Sequence, residues 1–319
     1  MDEPDRATIW PYEDGSPGDF YYSRYAHPAG VAAEQALGRL EGGDSLLYAS
    51  GMAATATVVL ALAQPGATVA LAEGAYFGTS RLFEELKRWG LEYVEYDQRG
   101  APPDADIVWV EAPANPLLTM PDFAAATSGG ALSVCDATVG TPVYLRALDE
   151  GIDVVVHSAT KFLTGHHNAL LGATVTRNPK LTARLRTLRD NTGPIASPEA
   201  AASLLAGLDT LDERMRRHTT AATDIAGRLE AHAAVTTVRY PGFSGLISFD
   251  VADADAARRV ETSTKLITNA TSLGGVDSTM ESRHRWEGDR IPKGLLRLSV
   301  GHEDVEAICA DLEQALSGL

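Results

Sequence analysis

Lys161 lies in Val156-His157-Ser158-Ala159-Thr160-Lys161-Phe162, and Asp136 lies 25 residues earlier, in Val134-Cys135-Asp136-Ala137-Thr138. Each polar cluster closes a short β-rich apolar run, Ile152 to Val156 and Ala131 to Val134. An amine and a carboxylate delivered by two neighbouring strand ends suit pyridoxal 5'-phosphate (PLP). The amine can condense with the cofactor aldehyde. The carboxylate keeps the pyridine nitrogen protonated, so that the ring can accept electrons.

Other residues could serve the same pocket. Ser50-Gly51-Met52 follows a strand and opens a helix, where free amides and the positive helix end suit a phosphate. An ordinary capped turn has the same composition. Tyr76 stands at the next strand-to-helix junction, where its ring could stack on a pyridine and its hydroxyl could move a proton. A tyrosine at the edge of the core is the alternative. Glu111-Ala112-Pro113-Ala114-Asn115-Pro116 is a loop stiffened by proline that would fix the Asn115 amide for a ring oxygen. Ser158 and Thr160 alternate around Ala159, so both hydroxyls point one way and could bind phosphate oxygens. Arg297 is a charge inside the apolar strand Leu295-Leu296-Arg297-Leu298-Ser299, and its planar fork suits an internal acid or a substrate carboxylate.

Two competing chemistries are weaker. His166 and His167 are adjacent, so they share no face, and no carboxylate stands at ligand spacing; they read as loop or interface residues, and no metal is expected. Ser158-Ala159-Thr160-Lys161 fits the S-x-x-K motif of serine acyl hydrolases, but the accompanying S-D-N and K-T-G tripeptides do not occur.

The elements that must position these residues alternate. Helical patterns run over Val31–Leu40, Met52–Ala63 and Thr79–Trp89, the last with Leu82, Phe83, Leu86 and Trp89 on one face. Strand patterns run over Ser45–Ala49, Thr68–Ala72, Leu91–Tyr96, Ile107–Val110, Ala131–Val134, Ile152–Val156 and Ala169–Val175. Several are unbroken apolar runs, the mark of a sheet covered on both faces. The expectation is an α/β fold with a mostly parallel sheet and its ligand at the carboxyl ends of the strands. Beyond Pro179 the chain is helical over Leu181–Arg189 and Ser197–Glu230, with breaks expected near Gly193-Pro194 and Gly207. Strands Val235–Tyr240, Leu246–Val251 and Leu295–Val300 then mix with helices Ala254–Thr262 and Asp304–Leu316, as in a smaller α+β domain. The divisions expected are an arm over 1–30, a PLP-binding domain over 31–200 and a small C-terminal domain over 201–319.

Bulk properties narrow the partners. Of 319 residues, 27 are basic and 43 acidic, and the net charge of −16 argues against nucleic acid or an anionic membrane. Cys135 and Cys309, far apart, make neither a disulfide framework nor a zinc site, so a reducing cytoplasm is expected. The polar start of the chain has no apolar signal core, and no run approaches the roughly 18 apolar residues of a membrane span.

Taken together, the segments resemble the Cys/Met-metabolism family of PLP enzymes, which includes cystathionine γ-lyase and cystathionine γ-synthase. The matching stretches are Tyr22-Ser23-Arg24, Leu40-Glu41-Gly42-Gly43, Ser50-Gly51-Met52-Ala53-Ala54, the Glu111 to Pro116 loop, and His157 to Lys161. Tyr240-Pro241-Gly242, Ser272-Leu273-Gly274-Gly275-Val276 and Arg297-Leu298-Ser299-Val300-Gly301 follow in the family's order. The resemblance implies a PLP aminotransferase-type (fold type I) architecture. It implies Lys161 as the Schiff-base lysine, Asp136 as the pyridinium partner and Tyr76 as the stacking ring. Gly51, Met52, Ser158 and Thr160 become the phosphate cradle, completed by Tyr22 and Arg24 from a neighbouring subunit of a homodimer or homotetramer. Arg297 and Ser272 match the groups that hold the substrate α-carboxylate, and Glu111 is taken as a further substrate contact.

The chain also departs from the family pattern. The arm before Tyr22 is short, the segment after Pro241-Gly242 is trimmed, and Ala137 follows the aspartate where asparagine is usual. His167-Asn168 stands where Ser-Asp is usual, and Ala206-Gly207 replaces Arg-Gly. Gly78 stands where methionine γ-lyases carry cysteine, which ranks that activity lower. The implied activity is γ-elimination of the cystathionine γ-lyase type on a sulfur-containing or activated homoserine-type amino acid. γ-Replacement, as in cystathionine γ-synthase or an O-acylhomoserine sulfhydrylase, is the close alternative.

Overall fold

The structure, a computed structural model, describes residues 3–319; Met1 and Asp2 of the expected arm lie outside the described residues. Residues 3–27 double back on themselves through an isolated bridge between Ile9 and Tyr22, and Trp10 packs on Phe20. Helix α1 (Pro28–Glu41) begins where His27 caps Gly30 and Pro28 presets the first turn, and ends at Gly42 in the left-handed region. Then come β1 (Asp44–Tyr48), α2 (Gly51–Leu62), β2 (Thr68–Ala72), α3 (Phe77–Leu86), β3 (Glu92–Tyr96) and β4 (Ile107–Glu111). The short α4 (Phe123–Thr127), β5 (Leu132–Asp136), single-turn α5 (Thr141–Tyr144), β6 (Val154–His157) and β7 (Gly172–Thr176) complete the first sheet.

Its order is β1-β7-β6-β5-β4-β2-β3, with β3, β2, β4, β5 and β6 parallel and β7 antiparallel to both of its neighbours. The apolar runs lie between two layers. Val108, Val110, Cys135 and Val155 pack on one face with Ala33 and Leu37 of α1. Leu71, Trp109, Val134 and Val156 pack on the other with Val58 of α2 and Phe83 of α3. Parallel strands align their carboxyl ends, so the loops after β2, β4, β5 and β6 open along one edge.

Helices α6 (Pro179–Thr192), α7 (Pro198–Asp209) and α8 (Leu211–Ala231) lead to a second sheet. It is built from β8 (Thr237–Arg239), β9 (Leu246–Asp250), β10 (Thr268–Asn269), β11 (Thr279–Ser282) and β12 (Leu295–Ser299), in the order β10-β11-β12-β9-β8. Helices α9 (Ala254–Ser263) and α11 (Val305–Leu316) cover it, and the single-turn α10 (His284–Glu287) follows β11. Period-two alternation sends Leu296 and Leu298 of β12 into the core with Phe249 and Ile308, and turns Arg297 to the opposite face.

Three details differ from the sequence expectations. Trp89 is exposed, because α3 ends at Leu86 and a 3-10 turn over Lys87–Trp89 rotates it off the apolar face. The strands β10 and β11 escaped notice because Thr-Asn and Thr-Met-Glu-Ser lack an apolar run. Gly207 does not break the helix, which continues to Asp209 and restarts after Thr210. A Cβ at Gly207 would lie 2.3 Å from the Leu163 carbonyl oxygen and 2.7 Å from Thr164 Cα, so the glycine lets α7 close onto the turn that carries Lys161. Gly207→Ala should therefore lower stability by about 1–3 kcal/mol, although alanine is the better helix former. A thermal melt that rises instead would contradict this packing.

Candidate functional site

The loops at the carboxyl edge of the first sheet and the Arg297 face of the second enclose a cleft of about 920 Å³, counting its solvent-open part. Ser50, Gly51, Met52, Tyr76, Glu111, Asn115, Asp136, Ser158, Thr160, Lys161, Ser272 and Arg297 all line it. Of the catalytic, cofactor-binding and substrate-binding residues expected from the sequence, Tyr22 and Arg24 do not. Arg24 bonds the Asp190 carbonyl on its own chain and stacks over Tyr25 at 4.5 Å, and Tyr22 is exposed.

Asp136 ends β5, and its Oδ1 accepts the Thr138 amide at 2.9 Å in a two-residue turn. Burial pushes its carboxyl up, and the Thr138 hydrogen bonds partly offset that. Thr138 Oγ1 in turn accepts the Ser158 amide at 2.8 Å, which ties the turn after β5 to the one after β6. The one sequence signal for Thr138 is its place two residues past an aspartate, which marks such a turn.

Lys161 lies four residues beyond β6, and its Nζ donates to Ser272 Oγ at 2.8 Å. Burial first, and then the nearby Arg297, lower its pKa to about 8. The amine thus faces Ser272 rather than Ser158, which leaves the S-x-x-K motif without a nucleophile–base pair.

Ser50 caps α2 by accepting the Ala53 amide on its side chain and the Ala54 amide on its carbonyl. The Gly51 and Met52 amides have no acceptor among the described residues, so the first turn of α2 offers two donors to an anion. Thr160 lines the cleft, but its hydroxyl donates to the Leu171 carbonyl at 3.1 Å and accepts the Leu171 amide at 2.8 Å. Ser158 keeps the freer hydroxyl of the two.

Glu111 braces two loops. Its Oε2 accepts the Tyr76 amide at 2.6 Å and its Oε1 the Asn115 amide at 3.0 Å, so both oxygens are committed to backbone rather than open to a substrate. Burial, reinforced by Asp136, raises its carboxyl well above the usual range. Burial likewise raises the Tyr76 phenol, against the pull of Arg283 and Arg297, so the hydroxyl stays protonated at neutral pH. Arg297 donates from Nη1 to Asn115 Oδ1 at 3.0 Å, and from Nη2 to the Ser272 carbonyl at 2.9 Å and Glu281 Oε1 at 2.7 Å. The internal acid left open by the sequence is Glu281, directly opposite on β11. Arg283 also lines the cleft. It escaped notice because Glu-Ser-Arg-His-Arg reads as a solvated charge run. His167 packs its ring on Gly275, and no cluster of metal ligands occurs among the described residues.

These residues fit PLP. A half-buried carboxylate held only through Thr138 would be satisfied by a protonated ring nitrogen, the α2 amides and Ser158 would take a phosphate, and Lys161 is an amine whose pKa burial lowers to about 8. The comparisons agree. The family model for Cys/Met metabolism PLP-dependent enzymes matches residues 5–317. A cystathionine β-lyase of Coxiella burnetii is 35% identical, over 97% of this chain and 91% of that protein. A cystathionine γ-lyase of Bacillus subtilis is 34% identical, over 94% and 89%. The crystal structure of cystathionine γ-synthase from Xanthomonas oryzae pv. oryzae, in complex with aminoacrylate and cysteine, superposes with a TM-score of 0.93. It is 31% identical and covers 99% of this chain and 92% of that one.

The lowered Lys161 pKa has a sign that can be tested without cofactor. Its folded value lies below the ordinary 10.5, so folding disfavours the protonated form; the cost is present below pH 8 and fades as the pH climbs towards 10.5. Cofactor-free Lys161→Met should be more stable than wild type at pH 7, by up to about 3 kcal/mol, and the gap should close near pH 10. Denaturant melts across that range check it, and a gap that widens with pH would refute the burial argument.

Proposed function

The chain belongs to the Cys/Met metabolism PLP-dependent enzyme family, and on that footing we propose that it removes a γ-substituent from a sulfur-containing or activated homoserine-type amino acid, in the manner of cystathionine γ-lyases. The observation that carries this reading is Lys161 Nζ bonded to Ser272 Oγ in the cleft that also holds Tyr76 and Arg297. γ-Elimination needs a base that reaches first Cα and then Cβ, an acid for the departing atom, and a clamp that holds the substrate still.

When bound, the cofactor supplies an aldehyde for the substrate amine and a ring that takes up the electron pair released at Cα. The rest falls to the chain. Arg297, its plane fixed by Asn115 and Ser272, holds the substrate carboxylate. Lys161, shifted towards its neutral form because burial lowers its pKa to about 8, takes the Cα proton and then works at Cβ. Tyr76 keeps its phenol proton and gives it to the leaving sulfur or oxygen. Asp136 holds the ring nitrogen, and Glu111 keeps Tyr76 and Asn115 in place.

γ-Replacement uses the same groups with a nucleophile entering at Cγ, and the likeness to a γ-synthase keeps it as the second reading. The Ser272-Leu273-Gly274-Gly275-Val276 run resembles that of γ-family members more than that of cystathionine β-lyases, which supports γ-chemistry over β-elimination. Gly78 supports a lower rank for methionine γ-lyase, because a Cβ there would lie 2.4 Å from Tyr76 Cε1. A side chain at 78 would push the tyrosine ring aside.

The assembly proposed is a homodimer or homotetramer in which Tyr22 and Arg24 complete the phosphate cradle of a neighbour. Their distance from the cleft of their own chain supports it, as does the need of a phosphate for a cation beside the α2 amides. Free cysteines, one of them in the core, suit a reducing cytoplasm, and no helix among the described residues is long and apolar enough to cross a membrane.

Incubation with cystathionine, methionine and O-acetyl- or O-succinylhomoserine, with and without thiols, should give 2-oxobutanoate and ammonia from at least one γ-substituted substrate. Release of pyruvate alone would favour β-elimination and sink this reading. Borohydride should trap the cofactor on Lys161, as read by peptide mass, and Lys161→Ala should lose both the adduct and turnover. Lys161→Ala mixed with Arg24→Ala during refolding should regain part of the activity that each lacks. Failure of every such hybrid would argue for sites built from one chain.

A further inference from the structure

One buried guanidinium at the cleft has no part in the chemistry above. Arg283 follows β11, is 1% exposed, lines the cleft beside Arg297 and lies over the Phe77 ring at 5.5 Å. Strand pairing explains why a second cation matters there. Glu281 on β11 is the register partner of Arg297 on β12, so the sheet itself places a carboxylate on that arginine. Glu281 Oε1 accepts from Arg297 Nη2 at 2.7 Å, from Arg283 Nη1 at 2.6 Å and from Thr271 Oγ1 at 3.0 Å. Its Oε2 accepts from Trp286 Nε1 at 3.1 Å.

A buried arginine in a one-to-one pair with a carboxylate is neutralised, and a second carboxylate gains little from it. A carboxylate shared between two guanidiniums cancels only part of each charge. Arg283 is itself anchored, since its Nη2 donates to Glu287 Oε1 at 2.9 Å. Arg290 stands 4.0 Å from Glu287 and donates to Ser80 Oγ at 2.9 Å and Glu95 Oε1 at 2.8 Å, which carries the alternating charges across to α3 and β3.

We propose that Arg283 is a positioning residue for the carboxylate clamp: by sharing Glu281 it leaves the charge of Arg297 available, and its fork fixed, for the substrate carboxylate. Glu287 sets the strength of this effect, because whatever Arg283 gives to Glu287 it withholds from Glu281. The proposal rests on the reading that Arg297 takes the substrate carboxylate.

The test is calorimetric titration of the holoenzyme with butanoate, which carries the carboxylate but no amine. Arg283→Met should weaken butanoate about tenfold, and Arg283→Lys should recover part of the loss by restoring charge without the fork. Glu287→Gln, nearly isosteric, should tighten it about threefold, since Arg283 then leans wholly on Glu281. A structural role alone would not move the two sites in opposite directions. If Arg283→Met binds butanoate as wild type does while Arg297→Met loses it, the sharing is wrong and the clamp stands. If Arg297→Met also binds normally, the clamp itself is wrong. Should Arg283→Met fail to fold, Glu287→Gln decides: tighter binding supports the proposal, and unchanged or weaker binding overturns it.

Discussion

Everything at this cleft depends on the parallel hydrogen-bonded ladder that joins β2, β4, β5 and β6. Parallel strands end on the same edge, so the turns that carry Tyr76, Glu111, Asp136 and Lys161 must meet there. Because both faces of that sheet are packed with apolar side chains, the turns are rooted in elements that cannot slip by a residue without turning core positions outward. A slip in β5 would replace Asp136 at the edge by an alanine or a cysteine.

Burial then gives these groups their chemistry. The same low-polarity surroundings push Lys161 down to about 8 and push Asp136, Glu111 and Tyr76 up. The lysine therefore moves towards a neutral base while the phenol stays a proton donor, an arrangement in which base and acid coexist near neutral pH. The second sheet contributes the opposite tactic. Its acidic and basic side chains alternate, with Arg297, Glu281, Arg283 and Glu287 each bonded to the next.

Hydrogen bonds between loops matter as much as the groups that face the cleft. Glu111 and Thr138 join turns that are 35 and 20 residues apart in the chain, through Tyr76 and Ser158 respectively. Glu111, expected at the substrate, places both oxygens on backbone amides, and Thr160, expected on the phosphate, exchanges hydrogen bonds with Leu171. Such residues hold others in place, and that role depends on a partner far away in the chain.

The sequence by itself determined the alternation of strands and helices, the apolar runs that require a covered sheet, and the local company of Lys161 and Asp136. Those features depend on side-chain type and short-range period, which a linear reading contains. It also carried the ordered set of motifs that marks the family. Only the tertiary structure decided that α7 runs through Gly207, that Trp89 turns outward, and that Glu281, opposite Arg297, is shared with Arg283. The reason is physical: a close backbone approach, the winding of one turn, and the register of β11 on β12 are set by contacts between segments that are remote in the chain.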